Sequence, residues 1–184
     1  MPVFISLLRG VNVGGHRKIK MLDLKALYES LGYARVVTYI QSGNVVFKSR
    51  GKNSATIEKR IHTGIEKRFG CDVEMFVYGL EEWRAVIAEN PFGDGSEMDP
   101  RRLVVSFLAA APDSRAQEEL AKAESGEDVV RFRGRLAYLY CPNGYGKTKL
   151  SNLVIERKLK TPATARNWNT VNKLLELAEQ PDRQ

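Results

Sequence analysis

The sequence predicts an α+β fold of two ferredoxin-like (split βαβ) subdomains, with mainly antiparallel sheets and a C-terminal helix. Three observations predict it. Apolar periodicity up to Val77 runs in the order βαββαβ, the split βαβ arrangement. The order restarts beyond residue 102 as βαββα. Between the two, Gly93–Pro100 (GDGSEMDP) is the one composition shift that reads as a linker. The expected division is an N-terminal subdomain over 1–92, a linker over 93–102 and a C-terminal subdomain with the terminal helix over 103–184. No residue-level repeat accompanies it, so the duplication rests on element order alone.

Val3–Leu8 is an unbroken apolar run, as a buried strand requires. It breaks into Arg9-Gly10-Val11-Asn12-Val13-Gly14-Gly15 and passes through Arg17, Lys18 and Lys20 into a helix. Met21, Leu24, Tyr28 and Leu31 mark that helix, and Gly32 is its stop. Arg35–Ser49 reads as a hairpin turning near Ser42-Gly43-Asn44. Ile57, Ile61, Ile65 and Phe69 recur every fourth residue and so share one helix face. Asn53 or Ser54 is the available cap there, and Gly70 the stop. Val73, Met75 and Val77 alternate as a strand. Leu80–Glu89 is a short helix with Trp83 and Ile87 on one side, ended at Asn90-Pro91 because proline pushes its predecessor out of the helical region.

Past the linker, Leu103–Leu108 is a strand, and Asp113 or Ser114 caps a helix running through Leu120 and Ala123. Val129–Phe132 and Leu136–Tyr140 form a hairpin around Arg133-Gly134. Leu150–Leu159 is a helix with Leu153 and Ile155 among its apolar residues. Any closing strand must lie within Lys160–Ala165. Val171, Leu174, Leu175 and Ala178 define the terminal helix.

With 184 residues, 43% of them hydrophobic, the chain is long enough to bury a core. No apolar run approaches the roughly 18 residues of a membrane span. Met1-Pro2-Val3-Phe4 lacks the basic segment of a signal peptide. Cys71 and Cys141 stand far apart, outside any metal-binding spacing, and read as reduced core thiols of a cytoplasmic protein. With only His16 and His62 besides, neither a metal site nor a cofactor is expected. The net charge of +7 is unevenly spread. Residues 1–50 carry eight Lys/Arg against Asp23 and Glu29; residues 51–130 carry ten basic against sixteen acidic; residues 131–173 carry ten basic against Glu156 alone. Two basic segments thus flank an acidic middle, which points to a polyanionic partner as readily as to solvated lysines that aid solubility.

Several reaction classes are absent from the pattern. No paired carboxylates stand near the glycine-rich turn, neither cysteine has a neighbouring histidine, and no Gly-x-Ser-x-Gly elbow occurs. Gly144-Tyr145-Gly146-Lys147-Thr148 looks like the end of a phosphate-binding loop, but Cys141 stands where that pattern needs glycine. A loop offering Lys147 and Lys149 to an anion is the better reading. Three polar clusters remain: Arg9, Gly10, Asn12, Gly14 and Gly15, with Lys20 close behind; Thr38, Tyr39, Ser42, Gly43 and Asn44; and Arg166, Asn167, Trp168, Asn169 and Thr170. Taken singly, each has an ordinary structural explanation. Glycines permit tight turns, Asn167 or Asn169 can cap the last helix, and Trp168 can simply pack.

The stretches LLRGVNVGG, KMLDLKALYESLG, TYIQSGNVVF, ENPF and TARNWNTVNKL, in this order and at these separations, resemble the bacterial family called domain of unknown function 1697. The resemblance runs from about Phe4 to Leu175. It implies an α+β fold of two ferredoxin-like subdomains and no established activity. The family's shared stretches fall on the three polar clusters, which moves the reading from structure toward a shared site.

Two functions of different class follow. The first is a binding protein for nucleic acid or another phosphate-rich anion, with Lys and Arg on phosphates and Tyr39, Phe47 or Trp168 stacking on bases. The second is a small enzyme or sensor holding a phosphorylated metabolite or nucleotide between the subdomains. There Arg9 and Arg166 would clamp the anion, and Tyr39 or Lys20 would carry protons. Acidic residues are scarce around both arginines, so each must reach solvent, a distant carboxylate or a ligand. The expectation is that the two converge on one anion.

Overall fold

The computed structural model describes residues 1–14, 17–93, 98–122 and 126–181. Two four-stranded antiparallel sheets, with helices alternating along the chain, give the α+β architecture of two ferredoxin-like units. The compact units are Met1–Ala85 with Lys173–Gln184, and Val86–Asn172. Of the expected linker, residues 94–97 lie outside the described residues. Within the rest, Pro100–Arg102 forms a 3-10 turn capped by Asp99, whose Oδ1 accepts the Arg101 N–H at 2.9 Å.

The first unit is built from β1 (Val3–Leu8), α1 (Met21–Ser30), β2 (Ala34–Tyr39), β3 (Asn44–Lys48), α2 (Ser54–Phe69) and β4 (Met75–Gly79), after which α3 (Leu80–Ala88) begins. The strand order is β2-β3-β1-β4. As a central strand β1 is buried on both faces, which explains its unbroken apolar run. Ile5 faces Val46 of β3 on one side and Tyr78 of β4 on the other. Ser6 is the one polar residue in β1, and its Oγ meets the Tyr28 hydroxyl of α1 at 2.8 Å.

Local rules account for α2. Asn53 Oδ1 accepts the Thr56 N–H at 2.8 Å, and Gly70 closes the helix at φ +66° with its N–H on the Glu66 carbonyl. Ile57, Ile61 and Ile65 are buried in the core with Leu24, Leu27, Val45, Phe47 and Val77. Each isoleucine contributes roughly 1.5–3 kcal/mol by leaving water. A bulge shifts the β2–β3 register between Ala34 and Val37, with Arg35 at φ +50°. Arg35 Nη2 also donates to the Leu177 carbonyl at 3.4 Å.

The second unit contains β5 (Leu103–Leu108), α4 (Ser114–Lys122), β6 (Val129–Arg133), β7 (Leu136–Tyr140), α5 (Asn152–Leu159) and β8 (Ala163–Asn167), followed by α6 (Trp168–Glu179). Its strand order, β6-β7-β5-β8, repeats that of the first unit. Asp113 caps α4 by accepting the Ala116 N–H at 2.7 Å; Ala123, expected in this helix, lies outside the described residues.

One boundary differs from expectation. The closing strand starts later than Lys160. Lys160 sits at φ +51° as the C-cap of α5, and Pro162 has no N–H for a ladder, so pairing with β5 runs from Ala163 to Asn167. The last helix starts at Trp168, since Asn167, one of its two candidate caps, accepts the Thr170 N–H on Oδ1 at 2.8 Å. In α5, Ile155 and Leu159 face the core, whereas Leu153 is 73% exposed. Among the described residues no helix is long and apolar enough to cross a membrane.

Candidate functional site

The structure brings the first two polar clusters together at one end of the first unit. Strand β1 delivers the chain to Arg9, whose N–H donates to the Glu74 carbonyl at 2.8 Å. The segment that follows is held by Asn12. Its Nδ2 donates to the carbonyls of Ile19 and Gln41 at 2.9 and 2.8 Å, and its Oδ1 accepts the Ile19 N–H at 2.9 Å. The backbone adds a 3.2 Å bond from the Asn12 N–H to the Arg17 carbonyl. All but one of the four positions on the Asn12 amide are thereby used within the loop and the hairpin turn.

The hairpin turn is fixed as firmly. Asn44 is fully buried and donates to the Tyr39 carbonyl at 3.0 Å and to Ser42 Oγ at 2.9 Å. The Gly43 carbonyl accepts the Leu8 N–H at 2.9 Å. A Cβ on Gly43 would lie 2.6 Å from Val11 Cγ2 and 2.7 Å from Leu8 Cβ, so only glycine lets the turn press this closely onto the end of β1. Asn12, Gly43, Asn44 and Ser42 therefore build the platform.

Exposed on that platform are Gly10, Gly14, Arg17, Lys18, Lys20, Gln41 and two apolar side chains, Val13 at 65% and Ile40 at 51%. Gly15 lies outside the described residues. Arg17, Lys18 and Lys20 have no carboxylate partner among the described residues. A Cβ on Gly10 would lie 3.5 Å from Arg17 Nη1, so the guanidinium passes directly over this glycine. Positive φ recurs at Gly10, Asn12 and Gly14, at 65, 57 and 59°. Val13 and Ile40 carried no distinguishing mark in the sequence. Their exposure depends on the Asn12 latch, which joins residues 29 apart.

Of the aromatic residues expected to stack, Phe47 is fully buried, 4.8 Å from Tyr33 and 5.2 Å from Tyr28 between ring centroids. Trp168 is buried as well, while Tyr39 and Thr38 are half-buried. The third cluster belongs to the second unit. Asn167 caps α6, Thr170 is buried, and Asn169 is exposed. Arg166 is buried, with Nη1 donating to Thr164 Oγ1 and to the Ala165 carbonyl, each at 2.8 Å, and burial lowers its guanidinium to about 10. Lys147 and Lys149 are exposed around the 3-10 turn Tyr145–Lys147, without an ion pair among the described residues.

Burial perturbs several groups in the cores, whereas Asp99, held low by Arg101, and Arg84 and Arg101, held up by Glu179 and Asp99, lie at the surface. Burial pushes the Tyr28 hydroxyl far up and raises that of Tyr33, and it pushes the Cys141 thiol to about 11 and the Tyr145 hydroxyl to about 12. No group of three His, Cys, Asp or Glu side chains positioned for a metal occurs among the described residues. The exposed platform thus offers cations, backbone and apolar contacts.

Among curated proteins, none matches the chain. Among solved structures, a conserved bacterial protein of Streptococcus pneumoniae is similar, with a TM-score of 0.76 and 23% identity. The match covers 97% of this chain and 99% of that one, and it shows the shared fold. Residues 1–138 match the family described as "Protein of unknown function (DUF1697)", and the chain belongs to that family.

Proposed function

We propose that the protein binds a phosphate-rich anion, nucleic acid first among them, on the platform formed by residues 9–14, residues 17–20 and the turn after Tyr39. The observation that carries the reading is the exposure of Arg17, Lys18 and Lys20 on a latched loop, with no carboxylate partner among the described residues. Lysine and arginine without a carboxylate partner are open to a phosphate, and the latch fixes Asn12, Ile19 and Gln41 relative to one another before anything binds. Val13 and Ile40 add apolar contacts of the kind a base or a sugar accepts. The cytoplasm, where nucleic acids and reduced thiols such as Cys71 and Cys141 coexist, is the matching compartment.

Fluorescence anisotropy with a labelled oligodeoxythymidylate of about 20 nucleotides tests this, because that length exceeds a typical single-domain site. Binding is expected to weaken steeply between about 50 and about 200 mM salt, and Arg17→Glu with Lys18→Glu to flatten the slope. Tight ATP binding with a shallow salt dependence, and none of the oligonucleotide, would replace the reading with one of a phosphorylated metabolite.

A further inference from the structure

Outside the platform, the first unit carries a second strongly basic surface on α2. Helix α2 turns Ile57, Ile61 and Ile65 into the core. On another face, Thr56, Arg60, Thr63 and Lys67 follow at spacings of four, three and four residues, which places them in one line along the helix. Lys59 flanks the line. These five residues, with Leu31 and Gly64, surround a groove of about 420 Å3.

The floor of the groove comes from close helix packing. A Cβ on Gly64 would lie 3.2 Å from Cδ1 of both Leu27 and Leu31, so the end of α1 presses onto α2 at this glycine. The walls are cationic. Lys59 and Lys67 are exposed and have no carboxylate partner among the described residues; Arg60 lies over the Tyr33 ring at 5.8 Å and is likewise without one. Neither Glu58 nor Glu66 lines the groove. Thr56 and Thr63 are exposed and supply hydroxyl donors between the charges.

We infer that this groove is a second phosphate-contact surface, and that its occupant is the backbone of a nucleic-acid strand. Three arguments select a strand. Eight residues separate Lys59 from Lys67, about 12 Å of helix at about 1.5 Å per residue, a span suited to successive phosphates. Leu31 is the one large apolar side chain in the lining and is half-buried, so the groove has little with which to embed in a bilayer. The C-terminal end of α2 is also tied to the platform: Gly70 caps the helix, and the chain then reaches Glu74, whose carbonyl accepts the Arg9 N–H at the start of the glycine-rich loop. The inference rests on the phosphate-binding reading and extends it from one loop to a track.

The test uses the full chain and labelled oligodeoxythymidylate of about 20 nucleotides, with the salt slope as the readout. Lys59→Glu with Lys67→Glu is compared with Arg17→Glu with Lys18→Glu, and with the conservative pair Lys59→Arg with Lys67→Arg. The expected result is about a tenfold loss of affinity for the glutamate pair on α2, and a salt slope flatter by about 1.4, the contribution of two single-strand phosphates. The arginine pair should keep the wild-type slope. Thermal melting of each variant checks that the fold is retained. An unchanged affinity and slope in the α2 glutamate pair, with binding lost in the loop pair, overturns the groove and leaves the platform standing. Loss in the α2 pair alone supports the groove and overturns the platform. Wild-type binding to phosphatidylserine vesicles and not to the oligonucleotide, or binding to neither, overturns both.

Discussion

The Asn12 side-chain amide donates to the Gln41 carbonyl at 2.8 Å, tying the glycine-rich loop to a hairpin turn 29 residues further on. The same amide group bonds both the N–H and the carbonyl of Ile19. Replacing Asn12 with alanine removes three hydrogen bonds and leaves a side chain at φ +57°. At about 0.5–1.5 kcal/mol per bond, Asn12→Ala is expected to lower unfolding free energy by about 2–3 kcal/mol in urea. Asn12→Asp keeps the acceptor but sets a carboxylate oxygen against the Ile19 and Gln41 carbonyls, so it should be at least as destabilising as alanine. Equal stability of all three would deny the latch.

Ile40 occupies a conformation that a β-branched residue rarely adopts, φ +50°, while half exposed. It is held there from both sides, since Asn44 bonds the carbonyl before it and Asn12 the carbonyl after it. Such strain persists only where its surroundings over-determine it. Ile40→Gly relieves the strain at some cost in unfolded-chain entropy, and the net expectation is a gain of about 0.5–1 kcal/mol. Affinity for the oligonucleotide should fall in the same variant, because the exposed apolar contact is gone. Higher stability with unchanged binding would confine Ile40 to a structural accident.

Ser6 and Ser106 occupy matching places in the two central strands, β1 and β5, and both are fully buried. Ser6 has the Tyr28 hydroxyl; Ser106 Oγ has no partner among the described residues. Removing one member of a buried pair strands the other, at about 1–3 kcal/mol, whereas removing an unsatisfied hydroxyl costs little or stabilises. Ser6→Ala should therefore lower the melting temperature clearly, and Ser106→Ala should leave it unchanged or raise it. Equal losses would contradict the distinction.

What could be read in advance was what is local. Asn53 and Gly70 around α2 are recognised by their own chemistry, and the Ile57, Ile61 and Ile65 face follows from helical period alone. The central strands showed themselves as continuous apolar runs because both faces are buried. The edge strand β8 did not, since it alternates and contains Thr164, Arg166 and Asn167, which looked like a polar cluster. The facing of Leu153 was not legible either: an apolar residue in a short helix says little about which way it points. For the candidate site, the sequence showed which residues were unusual but not which were structural. Asn12, Gly43, Asn44 and Asn167 serve neighbouring backbone or packing, and that assignment needs contacts up to 35 residues apart, as between Gly43 and Leu8. The groove on α2 has no local signature, because Thr56, Arg60, Thr63 and Lys67 read as an ordinary solvated helix face until Leu27 and Leu31 pack at Gly64.

The two cysteines should behave as opposites. Cys141 is fully buried beside Thr148, Asp128 and Tyr145, and loss of hydration pushes its thiol from the ordinary 9 to about 11. Cys71 is only partly buried against the first core. A thiolate-selective disulfide reagent at neutral pH should therefore modify Cys71 first and reach Cys141 only on unfolding. The raised value also fixes a sign. Between about pH 9 and about pH 11 the unfolded chain gives up the Cys141 proton while the folded chain keeps it, so stability present below 9 is lost as pH rises through this window. Tyr28, Tyr33 and Tyr145, raised by burial, push in the same direction at higher pH, so the comparison must isolate the thiol. Cys141→Ala removes the titrating group and should show a shallower fall in melting temperature between pH 9 and 11 than wild type. Identical profiles, or equal labelling rates for the two thiols, would mean that Cys141 opens to solvent in the native protein.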